Sequence, residues 1–195
     1  MTEPLYKVLD LDGTAHNGGR GQWMLPANGQ PGAWMPPIVG ELIPCQHGYH
    51  LCRRQDVILW LGPTIWLAEG RGDQIIHTNK IVVREARLLR RFETWTERTA
   101  RLFACECAER ALKRERAAGR EPAEASWQSI TVARRFASGT ATVEELSAAR
   151  AAASAAAWAA DRAARAAAWA AERDWQTERL FQILEGDLPA VKVTP

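Results

Sequence analysis

The chain has 195 residues, 47% of them hydrophobic, with 25 Lys and Arg side chains against 23 Asp and Glu. This length and composition predict one ordinary domain or two small ones with apolar cores. The net charge of +2 does not favour a nucleic acid as partner, and no apolar run is suited to a membrane span. The N-terminal residues have no secretory pattern, so we expect a cytoplasmic protein with reduced cysteines.

Residues 1–92 have the composition of short strands separated by turns, because they hold most of the Gly and Pro residues. The dipeptide Asn28-Gly29 predicts a hairpin turn, which would place Trp23 and Trp34 on facing strands. Four later segments predict strands, and "RRQDVILWLGP" predicts a short helix. The four strand segments are "GELIPC", "GYHLC", "TIWLAEG" and "NKIVVREARLL". We therefore predict a small β-rich N-terminal domain in an α+β protein.

Residues 93–186 have the pattern of helices and predict an all-α, Ala-rich helical domain, followed by a tail at 187–195. Capping signals mark the helix ends: they are Thr94 with Glu97, Thr142 with Glu145, Pro122 at a start and Gly139 at an end. From Thr142 to Glu185 there is no Gly or Pro. This run predicts one long terminal helix that either bends back or projects.

The long run carries a stripe of large side chains. Trp158, Trp169 and Leu180 recur at intervals of 11 residues, which is close to three helical turns and keeps them on one face. Arg162 and Arg165 each lie four residues from a Trp, so their guanidinium groups can cover the indole rings. Two interpretations stay open: a core stripe, or a surface for a partner helix or for self-association.

The segment "DLDGT" contains Asp10 and Asp12 in an Asp-x-Asp-Gly-Thr pattern that resembles the opening of haloacid-dehalogenase-like phosphatases. That chemistry needs a parallel sheet, a later Lys and an acidic pair that holds Mg²⁺. The segments after Gly13 predict short strands and then helices, without such an acidic element. We therefore interpret the motif as a turn.

The segment "CQHGYHLC" holds zinc-ligand residue types at Cys45, His47, His50 and Cys52. On a strand, the first two would face away from the last two. Three alternatives stay open: a metal held by Cys45, His50 and Cys52, a labile disulfide between Cys45 and Cys52, and buried packing with His50 hydrogen-bonded. We favour packing and expect no metal.

Cys45, Gly48, His50 and Cys52, followed by a short helix and "NKIVVREARLLRRF", resemble an uncharacterised domain of bacteriophages and actinobacteria with a Cys-x-x-Gly-x-His-x-Cys motif. His47 does not belong to that motif. The segments "RLFACECAERAL" and "ERDWQTERLFQIL" are similar to helical tails assigned to immunity proteins. The resemblance implies a phage or mobile-element setting in the cytoplasm of a bacterial host, and it assigns no catalytic residue.

A second resemblance gives an enzymatic alternative. The order "GYHLC", short helix, "IWLAEG" is similar to the middle of ADP-ribosyltransferase folds. It implies that Tyr49 or His50 lines a nicotinamide pocket and that Glu69 is the catalytic carboxylate of an NAD-dependent enzyme that uses residues 48–69.

We favour a non-catalytic binding protein of phage or mobile-element type, without a cofactor, that acts on a host or immunity-related protein. Large aromatic side chains commonly dominate protein interfaces. The predicted contact surfaces are therefore the aromatic residues of the β-rich domain or the Ala/Trp stripe: Trp23, Trp34 and Trp66, or Trp158 and Trp169 with Arg162 and Arg165. For any one of these tryptophans, burial in the core is the alternative that stays open.

Overall fold

The computed structural model describes residues 3–19, 21–157 and 168–187, with the backbone alone for 154–157 and 168–171. The chain divides into two compact units. The first, which we call the head, combines Met1–Trp95 with Arg173–Pro195, and the second, the helical unit, is Thr96–Glu172. The first boundary between the head and the helical unit follows Trp95, three residues after the predicted boundary at 92. The predicted helical domain extended to 186, whereas residues from Arg173 onward belong to the head, because apolar side chains there join its core.

The head contains one four-stranded sheet in which every pairing is antiparallel, in the order β1-β3-β4-β2. Together with the helices it confirms the α+β class. The strands are β1 Leu5–Leu9, β2 Tyr49–Leu51, β3 Thr64–His77 and β4 Lys80–Arg91, and a 3-10 helix covers Arg54–Leu59. Three of the predicted strands and the short helix are confirmed. "GELIPC" is wrong as a strand, since Ile43 and His47 close a tight turn there through two hydrogen bonds of 2.8 Å.

The two outer strands of the sheet meet. Tyr6 on β1 and Cys52, directly after β2, exchange two backbone hydrogen bonds of 2.8 Å each. The sheet therefore closes on itself, which protects edges that would otherwise expose unpaired N–H and C=O groups. The core cluster inside it is apolar: Leu9, Trp23, Met35, Leu51, Trp66, Ala68, Ile81, Val83, Ala86 and Leu88.

The turn at Asn28-Gly29 is confirmed, with φ angles of 52° and 72° that suit this dipeptide. The predicted facing strands are wrong. Trp23 instead packs edge-on against Tyr49, with ring centroids 5.6 Å apart. Trp34 lies beside the guanidinium groups of Arg71 and Arg87, 4.1 and 4.7 Å from its ring centroid. Prolines flank this part of the chain, so it runs extended without becoming a strand.

Strand β3 is longer than its sequence pattern indicates. The segment "EGRGD", which predicts a tight connection, lies inside β3, with a register shift between Arg71 and Gln74. Gly72 has a φ of 79° there, which glycine adopts without steric cost and which suits a β-bulge. Gly72 therefore accommodates an irregularity inside the strand, and the segment does not end it.

Helix α4, Ala168–Glu185, completes the head with its C-terminal half. Its buried apolar side chains there are Leu180, Phe181, Ile183 and Leu184. Arg54 lies over the ring of Phe181, 4.0 Å from its centroid, and forms ion pairs with Glu178 and Glu185 at 3.1 and 3.5 Å. The predicted placement of Leu180 on a buried helix face is consistent with this core.

The helical unit contains α1 Glu97–Ala117, α2 Glu124–Ala137 and α3 Val143–Ala157. The predicted capping box of Thr142 and Glu145 is confirmed, with hydrogen bonds of 2.7 and 3.2 Å. Helix α1 instead begins after Thr96, whose hydroxyl accepts the N–H of Thr99 at 3.2 Å. The Thr94 hydroxyl donates to the carbonyl of Leu184 at 2.9 Å, so this side chain forms a contact within the head and does not cap α1.

The other two capping signals have mixed outcomes. Gly139 follows α2 with a φ of 73°, as expected after a helix end. Pro122 precedes the first residue of α2, Glu124, by two positions. The prediction of one long terminal helix includes residues 158–167, which lie outside the described residues, as does most of the predicted tail. No described helix combines the length and apolar character that a membrane crossing requires.

Candidate functional site

The head contains a cleft of about 410 Å³, within the range typical of small-molecule sites. It lies between β1, β2 and the first residue of β4, and loops at 15–21 and 45–48 border it. The lining combines two lysines, a histidine, two cysteines, three aromatic rings and a glycine-rich loop: Lys7, Lys80, His50, Cys45, Cys52, Trp23, Tyr49, Trp60, Gly18, Gly19 and Gly21. None of the described residues that line it is acidic.

Lys80 is the first residue of β4 and only 8% exposed. Its Nζ donates to Cys45 Sγ at 2.8 Å and lies 5.0 Å from the centroid of the Trp60 ring. The indole N–H of Trp60 donates to the carbonyl of Asn79 at 2.9 Å, which fixes that ring. No described carboxylate forms an ion pair with Lys80. The cleft therefore holds a buried ammonium group that no carboxylate in the described part of the chain neutralises.

Lys7 projects from β1 and is partly buried. Its Nζ donates to the carbonyl of His50 at 3.1 Å and lies 4.9 Å from the centroid of the Trp23 ring. Burial lowers the pKa of Lys7 to about 8, an effect that nearby Cys52 partly opposes. Most Lys7 side chains are therefore charged at neutral pH, and the charge is lost in mildly alkaline solution. No described carboxylate forms an ion pair with this side chain either.

His50 on β2 connects Lys7 to the turn that carries Cys45. Its Nε2 accepts the backbone N–H of Cys45 at 2.8 Å, which places the ring proton on Nδ1. Burial, followed by the charges of Lys7 and Lys80, lowers the pKa of His50 to about 4. The ring is therefore neutral at physiological pH and acts as a fixed hydrogen-bond acceptor.

The two cysteines of the cleft have different surroundings. Cys45 is exposed and has a φ of 67°, a backbone region that non-glycine residues rarely adopt. Cys52 is buried, and this burial raises the pKa of its thiol to about 12. All four cysteines are free thiols, so Cys45 and Cys52 form no disulfide. Among the described residues, no group of three or more His, Cys, Asp or Glu side chains is placed to hold a metal ion.

The "DLDGT" motif forms a turn, as predicted. Asp12 Oδ1 accepts the N–H and the hydroxyl of Thr14 at 2.9 and 2.7 Å, and these hydrogen bonds lower the pKa of Asp12. The Asp10 carboxylate contacts the ring of His16. The strand before the motif pairs only in antiparallel fashion within the described sheet, so the parallel arrangement that such phosphatases need is not present there. The turn leads directly into the glycine-rich loop.

The loop is held at the rim of the cleft by Asn17, whose side-chain amide donates to the carbonyl of Trp60 at 3.1 Å. Gly62 also packs closely here, since a Cβ added to it would lie 2.5 Å from the His16 ring. The Asp-Gly turn thus leads into the Asn-Gly-Gly sequence, whose residues form part of one wall of the cleft.

The cleft gathers several residues that the sequence indicated and leaves out others. Tyr49, His50, Cys45 and Cys52 all line it. Glu69 does not; it lies on β3 and forms an ion pair with Arg87. The geometry therefore separates the carboxylate of the ADP-ribosyltransferase alternative from its two proposed pocket residues.

Of the two alternatives for the tryptophans of the head, burial in the core holds for Trp23 and Trp66, so their prediction as exposed contact residues is corrected. Trp23 and Trp66 are 4% and 7% exposed and belong to the core, so they are not available as exposed contacts for a protein. Trp34 is half-buried between two arginines. Trp158, Arg162 and Arg165 lie outside the described residues, as does the side chain of Trp169.

Comparisons of the chain with protein-family models, with curated proteins and with solved structures found no match. The cleft is therefore the basis for assigning a function. The two cationic residues in its described lining, Lys7 and Lys80, had no signal in the sequence, since single lysines on strands are common. Only the closure of the sheet places them beside the Cys/His segment.

Proposed function

We propose that the protein is a non-catalytic binding protein whose head takes an anionic ligand into the cleft that contains Lys7 and Lys80. The observation that carries this proposal is the pair of lysine ammonium groups, which line one cleft without an ion-pair partner among the described carboxylates. Removing an ammonium group from water costs several kcal/mol unless an opposite charge offsets it. A bound anion supplies that charge.

The polar groups of the cleft favour binding over catalysis. The Nε2 of His50 already accepts the N–H of Cys45, and a neutral ring with a pKa of about 4 is a poor general base at physiological pH. The described lining contains no carboxylate, and Glu69 is paired with Arg87 elsewhere on the sheet. These arrangements support a ligand that is held and released unchanged.

The biological setting is proposed from the sequence resemblance alone. The motif at Cys45, Gly48, His50 and Cys52 supports a phage or mobile-element origin, and the helical segments support a host or immunity-related protein as partner. Contact with that partner through the Ala/Trp stripe stays a prediction, since Trp158 lies outside the described residues.

The proposal is tested by anion binding to the full chain and to matched lysine variants. We expect pyrophosphate to raise the melting temperature of the wild type more than chloride of equal ionic strength does. Lys7→Met and Lys80→Met should each weaken pyrophosphate binding about tenfold or more, because each removes one charge from a site of low polarity. Binding is measured by titration of the intrinsic tryptophan fluorescence.

Lys113→Met is the matched control. Lys113 lies on α1 and its side chain is 65% exposed, so its loss should leave pyrophosphate affinity unchanged. Circular dichroism verifies that each variant is folded. If the folded wild type binds no pyrophosphate, or if the control weakens binding as much as the cleft variants do, the proposal is wrong.

A further inference from the structure

The glycine-rich loop that borders the cleft contains one glycine that the fold does not require. Gly18 has a φ of 81°, and a Cβ on Gly19 would lie 2.8 Å from the Cβ of Ala15, so backbone conformation and packing explain those two. A Cβ added to Gly21 would meet no described atom within 4 Å. Gly21 lines the cleft, so its missing side chain leaves room for a ligand to approach the backbone.

The same loop has a backbone donor to offer. Among the hydrogen bonds of the described residues, the N–H group of Gly19 donates to no partner, and the carbonyl of Gly21 accepts the N–H of Ala15 at 3.1 Å. Glycine-rich loops with free N–H groups, next to a lysine, are a common way to hold phosphate oxygens. Here the loop and both lysines line one cleft.

The remaining walls suit a flat ring. Tyr49 and Trp60 are both half-buried, so part of each ring is left open. Each is held by a hydrogen bond of its polar atom: the Tyr49 hydroxyl donates to the carbonyl of Pro36 at 2.8 Å, and the Trp60 N–H donates to Asn79. Rings that are fixed in this way lose little entropy when a base stacks on them, and such stacking contributes about 1–3 kcal/mol per base.

We infer that the anionic ligand is a nucleotide, whose phosphates are held by Lys7, Lys80 and the glycine-rich loop, and whose base lies against Tyr49 or Trp60. The inference rests on the proposed anion site and names the ligand class for it. A multiply charged diphosphate group matches two ammonium groups in a cleft whose described lining contains no acidic residue. Because one of these groups, Lys7, has a pKa of about 8, affinity should fall as the pH rises from 7 to 9.

The test compares pyrophosphate with the four nucleoside diphosphates ADP, GDP, CDP and UDP on the full chain, by isothermal titration calorimetry at constant ionic strength. We expect at least one diphosphate to bind about tenfold or more tightly than pyrophosphate, because the base adds stacking contacts. The unphosphorylated nucleoside of that base should bind at least tenfold more weakly than the diphosphate.

Two variants separate the phosphate and base contacts. Gly21→Val fills the space beside the loop and should weaken both pyrophosphate and the nucleotide about tenfold or more. Trp60→Leu should weaken the nucleotide and leave pyrophosphate unchanged, whereas Trp60→Phe keeps a ring and should restore most of the affinity. Tyr49→Leu and Tyr49→Phe form the equivalent pair for the second ring.

The outcomes distinguish failure of the nucleotide inference from failure of the proposed anion site. If pyrophosphate binds and no nucleoside diphosphate binds more tightly, the nucleotide inference is overturned while the anion site stands. The nucleotide inference is also overturned, while the anion site stands, if neither Trp60→Leu nor Tyr49→Leu reduces the preference for the nucleotide over pyrophosphate. If neither pyrophosphate nor any diphosphate binds to the folded wild type, both proposals fail.

Discussion

The ring of Tyr6 on β1 meets the ring of Phe181 on α4 edge-on, with their centroids 4.9 Å apart and their planes at 76°. Edge-to-face pairs of this kind add to the stabilisation from burial alone. The contact joins residues 175 positions apart in the sequence. It places the last described helix in the core of the domain that the first strand begins.

Phe181→Ala should therefore destabilise the head strongly. Phe181 is 1% exposed, and removal of a fully buried phenylalanine side chain costs roughly 3–5 kcal/mol because it leaves a cavity. Urea unfolding followed by tryptophan fluorescence measures the change in the free energy of unfolding. The neighbouring Gln182 is exposed, so Gln182→Ala should change it by less than about 0.5 kcal/mol. Equal effects of the two substitutions would contradict this role of Phe181.

A fragment that contains only residues 1–95 should not fold cooperatively. It lacks the buried side chains of α4, of which Leu180 and Phe181 are at most 1% exposed, so an apolar face of the head would be open to water. Addition of a synthetic peptide covering 173–187 should restore a cooperative thermal transition, measured by near-ultraviolet circular dichroism. A peptide with the Phe181→Ala change is the control. A cooperative transition of the fragment by itself at the temperature of the full chain would show that α4 is dispensable.

The head should lose stability as the pH falls from 6.5 toward 4. The pKa of His50 is lowered from 6.5 to about 4, so in this window the unfolded chain binds a proton that the folded chain does not. The free energy of unfolding must then decrease with decreasing pH. The contribution is about 1–2 kcal/mol for a partly buried group.

His50→Gln tests this assignment, since glutamine retains an acceptor for the Cys45 N–H and has no proton to gain. The variant should show a flatter dependence of unfolding free energy on pH between 6.5 and 4 than the wild type does. Urea titrations at several pH values provide the measurement. An unchanged slope would mean that other groups cause the acid sensitivity.

Cys45 should react with iodoacetamide at least about tenfold faster than the other three cysteines. It is exposed, whereas burial raises the pKa of Cys52 and Cys107 to about 12 and also raises that of Cys105, and the thiolate is the reactive form. Peptide mass spectrometry after short labelling at pH 8 identifies the modified residue. Cys45→Ser should remove the fast phase, and rapid labelling of Cys52 would contradict the buried position of that thiol.

Local signals in the sequence were sufficient to predict several turns and helix ends. The turn at Asn28-Gly29, the turn at Asp12 and the capping box of Thr142 and Glu145 are all confirmed. Each is fixed by side chains and backbone within a few positions, so tertiary contacts do not need to be known.

Features that depend on distant contacts were not predictable. Trp23 and Trp66 were expected to be exposed, but exposure depends on which segments cover a ring, and closure of the sheet through Tyr6 and Cys52 buries both in its core. The two cationic residues of the cleft illustrate the same limit. Lys7 and Lys80 stand on different strands, and no periodicity or spacing connects them. The sequence pattern indicated the Cys/His segment of the site, but it did not indicate the two lysines that give the site its positive charge.

The interruption of the head by the helical unit has a consequence for synthesis on the ribosome. Residues 96–172 are contiguous, so that unit can complete itself before the head can, although the head contains the first residue of the chain. At typical translation rates, the 90 positions from Trp95 to Glu185 take roughly 5 to 20 seconds to appear. For that interval the first strands lack the buried side chains of α4, so the helical unit is the first part of the chain that can complete its internal contacts.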